Sequence, residues 1–274
     1  MRVNRHAIVG ISAGAALWIL AGAAPAVAQT DNAGQGWNAR IGAIGMASPR
    51  YEGAGSYRLR VLPVVRIAYD NRYFLSHHGL GANLWTGEDL ELGLAVGYDG
   101  GRSSGKDAAL SGYRSVGDTA VGRILVKYRL GALELHADIA TDLLGEGHGG
   151  TQITAGLRGM LNPTEDTRLM LGPTLTWASQ TNMHRFFSTK PDRFNRAAQA
   201  GQIGPGSRSG YKAGAGLQSG GLSAILIHSL NARWSVISYA GYARMMGDAA
   251  DSPFVRDHGD RDQFSGGLGL SYSF

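Results

Sequence analysis

Cysteine is absent from the 274 residues. Its absence excludes disulfide staples and thiolate metal sites, and an oxidising compartment tolerates it. Charge is scarce, with Asp, Glu, Lys and Arg at 17% and a formal net charge of only +5. So mild a basic balance, with no basic stripe, argues against a nucleic-acid partner. Beyond the first 28 residues no stretch holds the ~20 continuous apolar residues that a membrane helix needs. Membrane residence would therefore have to come from strands. Glycine is plentiful instead: 42 residues, about twice the usual share, beside an ordinary 43% hydrophobic content. That composition suits many strands and turns better than packed helices.

The amino-terminal segment reads as an export signal. Arg2 and Arg5 form a basic start, a largely apolar stretch runs from Ala7 to Ala24, and Ala26-Val27-Ala28 supplies the small-x-small cleavage pattern. A membrane-anchoring helix is the alternative, but the stretch is short, carries Gly10, Gly14 and Gly22, and is closed by Pro25. Cleavage after Ala28 removes two arginines and lowers the formal charge to +3. The expected organisation is a signal peptide over residues 1–28 and a single domain over 29–274.

From there on the dominant periodicity is two. In Gln263–Phe274, Phe264, Leu268, Leu270, Tyr272 and Phe274 share one face, opposite Ser265, Gly267, Gly269, Ser271 and Ser273. A strand of a barrel in lipid requires this alternation, since its outer face meets hydrocarbon and its inner face an enclosed polar space. The chain ends on an aromatic, Phe274, as do strands read by the outer-membrane assembly machinery. Leu90–Asp99, Gln152–Leu161, Thr167–Ala178 and Tyr57–Tyr69 alternate likewise. Pro63 and Pro173 lack a ladder donor, so a local bulge is expected at each. Asp118–Arg129 and Ala132–Leu143 carry charges on one face, and a turn at Leu130-Gly131 would set Lys127 across from Glu134 and Arg123 across from Asp138.

Short links at Asp70-Asn71, Leu130-Gly131, Asn162–Glu165 and Asn231-Ala232 alternate with long polar ones at Gly100–Gly117, Ser179–Gly210 and Gly247–Asp262. Short turns belong at the periplasmic rim and long loops outside. The strands counted this way are Trp37–Met46, Tyr57–Tyr69, Tyr73–Leu84, Leu90–Asp99, Asp118–Arg129, Ala132–Leu143, Gln152–Leu161, Thr167–Ala178, Gly221–Leu230, Arg233–Met245 and Gln263–Phe274: eleven, where an even number is required. Either a strand hides within Ser207–Gly220 or Ala108–Val116, or Tyr73–Leu84, broken by Ser76-His77-His78-Gly79, is outside the wall. The fold expected is an all-β antiparallel transmembrane barrel of about 12 strands, with 10 the alternative.

Four stretches resemble the MipA/OmpV family, the MltA-interacting proteins of proteobacterial outer membranes. They are Tyr51–Tyr57 running into Leu62-Pro63-Val64 and Ile67-Ala68-Tyr69; Arg72-Tyr73-Phe74-Leu75 with Gly79-Leu80-Gly81; Ala232–Val236 with Tyr242-Ala243-Arg244; and Gly247–Val255 before the closing strand. The last, with its DAADSPFV loop, is the sharpest. His77-His78 and the Arg/Gly-rich Ser188–Arg208 loop have no counterpart in the resemblance. It implies residence in the outer membrane, among its lipid and lipopolysaccharide. Through the founding member it also implies a scaffold linking a lytic murein transglycosylase to a murein synthase. Fold analogy alone does not carry that role over.

Catalytic candidates are Ser76 with His77 or His78, and His228 with Ser229. A nucleophile needs its base within hydrogen-bond reach, and adjacent strand residues point to opposite faces, so both are poor pairs. No catalytic residue and no cofactor is assigned, and the protein is read as a non-enzyme. His136 with Asp138, and Asp257-His258-Gly259-Asp260, match no strict metal-ligand spacing. The inward charges expected are Arg40, Arg58, Arg60, Arg66, Arg123, Lys127, Arg129, Arg158 and Arg168 against Glu91, Asp99, Glu134, Asp138 and Asp142. Such an excess of arginine would favour anions in a small channel for solutes or antibiotics, the alternative function, with a lipid-modifying barrel enzyme the more distant one. A barrel of this size more simply fills its interior with paired charges.

Overall fold

The computed structural model describes residues 36–102, 104, 110, 113, 115–189 and 210–274. The expected signal segment, its cleavage position and most of the Ser188–Arg208 stretch lie outside the described residues.

Twelve antiparallel strands close into a barrel. They are β1 (Trp37–Pro49), β2 (Tyr57–Tyr69), β3 (Tyr73–Ser76), β4 (Gly79–Thr86), β5 (Leu90–Asp99), β6 (Thr119–Leu130), β7 (Leu133–Asp142), β8 (Thr151–Thr164), β9 (Thr167–Ala178), β10 (Gly216–Ser229), β11 (Trp234–Met245) and β12 (Asp262–Ser273). Each pairs with its sequence neighbours, and β12 closes on β1 from Arg40↔Ser273 to Ala47↔Gly266. Short turns gather at the rim where β1 starts and β12 ends. One of them places Asp70 and Asn71 at φ 50 and 52, the left-handed pair that a tight hairpin demands and that Asp and Asn accept most readily. The long connections gather at the opposite rim and, among the described residues, carry three helices, α1 (Gln180–Phe187), α2 (Gly247–Asp251) and α3 (Pro253–His258).

The odd strand count has a definite origin. Tyr73–Leu84 belongs to the wall, but as two strands: β3 has four residues, turns at His77-His78, and returns as β4. The break in alternation that marked this segment as doubtful is the turn itself. Twelve strands cross the periplasmic part of the wall, and ten reach the outer rim.

The outer face is apolar, with Leu59 78% and Leu268 64% exposed, and aromatic pairs mark both belts. Trp37–Tyr69 and Trp234–Tyr272 lie below, each with ring centroids 5.1 Å apart, and Tyr242–Phe264 lies above at 5.2 Å. Amphipathic aromatics favour such positions, where hydrocarbon meets water.

Three details differ from the sequence reading. The β6–β7 turn is Gly131-Ala132, with Gly131 at φ 62, so the register moves by two: Lys127 faces His136 and Arg129 faces Glu134. A shift of two keeps every side chain on its face, so the inward charges stay inward. Neither proline makes a bulge. The β1–β2 register is continuous through Pro63, and β8–β9 pairing keeps one register on either side of Pro173, from Gly156↔Thr174 to Gly159↔Leu171. Third, the interior is not uniformly wet. Ile44, Met46, Leu62, Met170, Ile225, Ile227, Ile237 and Tyr239 form a dry cluster from β1, β2, β9, β10 and β11. Inward Gly267 on β12 leaves room for it, since an added Cβ would stand 2.8 Å from Met46 Cγ.

Candidate functional site

The other half of the interior holds the charges. A cavity of about 210 Å³ is lined from β2 to β8, among others by Arg66, His78, Glu91, Lys127, His136, Asp138 and Arg158. Lys127 Nζ lies 3.3 Å from Glu91 Oε2, and Arg129 closes on the other oxygen of the same carboxylate. Arg123 reaches Asp138 at 3.1 Å, the partnership expected, although the two sit diagonally and not opposite. Arg158 and Glu134 pair at 3.2 Å with both side chains buried. The interior is thus largely neutralised on this side, as buried charge requires.

The catalytic candidates do not assemble as a relay. The Ser76 hydroxyl accepts the backbone N–H of His78 at 3.2 Å within its own turn. His78 Nδ1 lies 3.4 Å from Asp138 Oδ2, and the His77 and His78 rings lie tilted with centroids 3.8 Å apart. His228 is engaged by Thr167 at 2.9 Å, while Ser229 lies buried with its N–H on Asp166 O. His136 and Asp138 do share the inner face, yet no group of three metal-ligating side chains forms among the described residues. In the Asp257–Asp260 stretch, Asp257 pairs with Arg256 at 2.8 Å and Asp260 accepts the Asp262 N–H. Asp142, expected in the interior, sits at the outer rim and collects Thr119, Leu144, Gly145 and Gly149 on its two oxygens. Asp99 likewise turns to its own loop, accepting Gly101 N–H at 2.9 Å.

Sequence reasoning missed the densest part of the molecule. At the outer mouth the long connections build a second core of Leu110, Tyr113, Ala178, Met183, Phe187, Ala213, Met245, Ala249, Ala250, Phe254 and Val255. Phe254 is its hub, stacked on Phe187 at 5.9 Å and edge-on to Tyr113 at 5.0 Å. The Arg102 guanidinium lies 5.5 Å over the Phe254 ring and donates to Phe186 O at 2.8 Å. Two of the segments that carry the family resemblance meet here. Ala54 bridges Gly259, and Gly53 N–H donates to Gln263 Oε1 at 3.1 Å. Gly53 stands at φ 80 against Val255 and Phe254, where no larger residue fits.

Below this cap the Glu52 carboxyl is packed on all sides, although the residue as a whole keeps some exposure. Burial, with Asp99 adding to it, pushes its pKa up to about 7 against the opposing pull of Arg102 and of the Gln218 amide, which donates at 2.6 Å. Burial brings the Arg102 guanidinium down to about 10, partly offset by Glu52.

The family described as MltA-interacting protein MipA matches residues 41–274. No curated protein matches the chain. Among solved structures, a NanC porin is 8% identical over 87% of this chain and 100% of its own, with a TM-score of 0.41. A bacterial polysaccharide outer membrane secretin is 7% identical over 88% and 99%, at 0.44. A CymD monoaromatic hydrocarbon channel is 10% identical over 88% and 89%, at 0.38.

Proposed function

We propose, for a chain that belongs to the MltA-interacting protein MipA family, that this outer-membrane barrel is a non-enzymatic scaffold holding murein hydrolase and synthase machinery at its periplasmic side. The observation that carries the reading is the filled interior: an apolar cluster in one half, ion pairs in the other and a cap core over the outer mouth. A barrel so occupied is built to present surfaces. Its described periplasmic surface consists of the short turns, and the segment Gln29–Gly36 precedes β1 in the sequence. We assign partner contacts there, with a lytic murein transglycosylase and a murein synthase as the partners.

Crosslinking in intact cells followed by pull-down tests this. Recovery of both murein enzymes is the expected result, and recovery of neither removes the scaffold. The surplus of inward arginine supports one second reading, a small anion-selective pore. Planar-bilayer recording separates the two: silence supports the scaffold, and steady anion current replaces it. Phe274 is exposed at the base of the barrel, with its N–H on Ala39 O at 2.9 Å. It suits recognition by the assembly machinery before β12 pairs with β1.

A further inference from the structure

The half-height hairpin leaves β2 with an unpaired edge. β1 pairs with β2 along its whole length, whereas β3 reaches only Ile67–Tyr69. Across the gap, pairing of β4 with β5 ends at Val96, so Gly97–Asp99 lack a partner on that side too. The phase of the ladder tells which groups are affected. Asp70 N–H bonds Gly36 O, so even-numbered residues of β2 direct their backbone groups to β1 and odd-numbered ones to the gap. Leu59, Val61, Pro63 and Val65 therefore aim their backbone groups at the gap, and among the described residues nothing receives them. Pro63, which has no N–H to lose, stands where an edge tolerates proline. The gap lies between the outer belt, at Tyr57 and Tyr98, and the His77-His78 turn, in the outer-leaflet half of the wall.

The side chains of the same stretch make a second, independent observation. Arg58 and Arg60 face inward beside Arg50, close enough to repel one another. Neither Arg58 nor Arg60 has an ion-pair partner among the described residues, and Arg58 Nε is buried with no hydrogen bond. Arg123, Lys127, Arg129 and Arg158, by contrast, sit on carboxylates.

Bare backbone edges are not tolerated in hydrocarbon, and clustered arginines call for an oxyanion. We infer that the gap between β2 and β5 is a lateral binding site for a phosphate-bearing amphiphile of the surrounding leaflet, with the phosphate on Arg58 and Arg60 and the polar linkage groups along the open edge of β2. The arginines supply two charge-assisted donors in fork geometry. The acyl chains remain outside, against Leu59 and Val61.

The test uses the mature, folded chain in neutral detergent and three probes: short-chain phosphatidic acid, the matching diacylglycerol, and inorganic phosphate. Native mass spectrometry should retain one phosphatidic acid, with diacylglycerol held roughly tenfold or more weaker, and Arg58→Gln/Arg60→Gln should cost a similar factor. Arg244→Gln, on β11 and separated from β2 by β1 and β12, should change nothing. A photoreactive phosphatidic acid on the unaltered chain should crosslink to residues 57–66 and 95–99. This arm stands even if the double variant fails to fold. Crosslinks spread evenly over the wall, unaltered retention in the folded double variant, or inorganic phosphate binding as tightly as the lipid would each overturn the site. So would dimer crosslinks through 57–66, which would make the occupant a second copy of the chain.

Discussion

The two halves of the barrel interior solve one problem in opposite ways. Parts of β9, β10, β11, β1 and β2 give the inner face a dry apolar cluster, with Ile225 at 0% and Met170 at 1% exposure, beside inward arginines such as Arg58 and Arg60. Along β5 to β8 it is a chain of ion pairs around a cavity. Both halves lie behind the same lipid-facing wall, so the wall does not dictate what the inside must be. What differs is the tolerance for change. The apolar cluster accepts no unpaired charge, and the ion-paired side accepts no single deletion.

The sharpest way to break the contrast is Ile225→Asp, which puts a carboxylate inside the fully buried apolar cluster. A loss of more than ~4 kcal/mol is expected, read as failure of the heat-modifiable band to form. Next comes Phe254→Ala in the cap, which should cost about 3–5 kcal/mol locally. Protease should then cut within residues 247–262 while the heat-modifiable barrel persists, because most of the cap core comes from the connections and the wall is held by its own ladder. In the charged half, Glu134→Gln strands the buried Arg158 guanidinium and should lower stability in urea by about 3 kcal/mol. The double change Glu134→Leu/Arg158→Leu should recover most of that loss. If the single and double variants are alike, the pairing argument for this half is wrong.

The smallest effect concerns pH. The Glu52 pKa in the folded protein, about 7, lies above its ordinary 4.5. Its contribution is therefore complete below pH 4.5 and lost as pH rises through 7. Amide exchange across residues 50–56 and 247–262 should be slower at pH 5 than at pH 8, and Glu52→Gln should abolish the difference. A cap equally protected at both pH values would show that this carboxyl does not govern it.

The wall was legible because lipid imposes a strict period of two, and every inside–outside assignment for β2, β5, β9 and β12 stands. The hairpin at His77-His78 was visible only as a broken pattern, since a turn inside the membrane-spanning height is not where turns are expected. The β6–β7 register slipped by two because Gly131, and not Leu130, leads the turn. Leu62, Met160 and Met170 already stood on the inner face, yet a wet-lumen expectation obscured what they announced. The cap escaped altogether. Its residues sit in short helices and loops with no common period, and the signal present was the apolar knots Phe186-Phe187 and Pro253-Phe254-Val255 inside polar connections.

The bridge from Ala54 to Gly259 and the bond from Gly53 to Gln263 join positions 205 and 210 residues apart. The same distant ends of the polypeptide meet again along the seam of β1 and β12. Sealing the mouth and zipping the cylinder therefore both draw on the last stretch of the polypeptide. A chain truncated before that stretch loses both ends of the architecture together. The cell gains a simple checkpoint, because no half-made barrel can wear a finished lid.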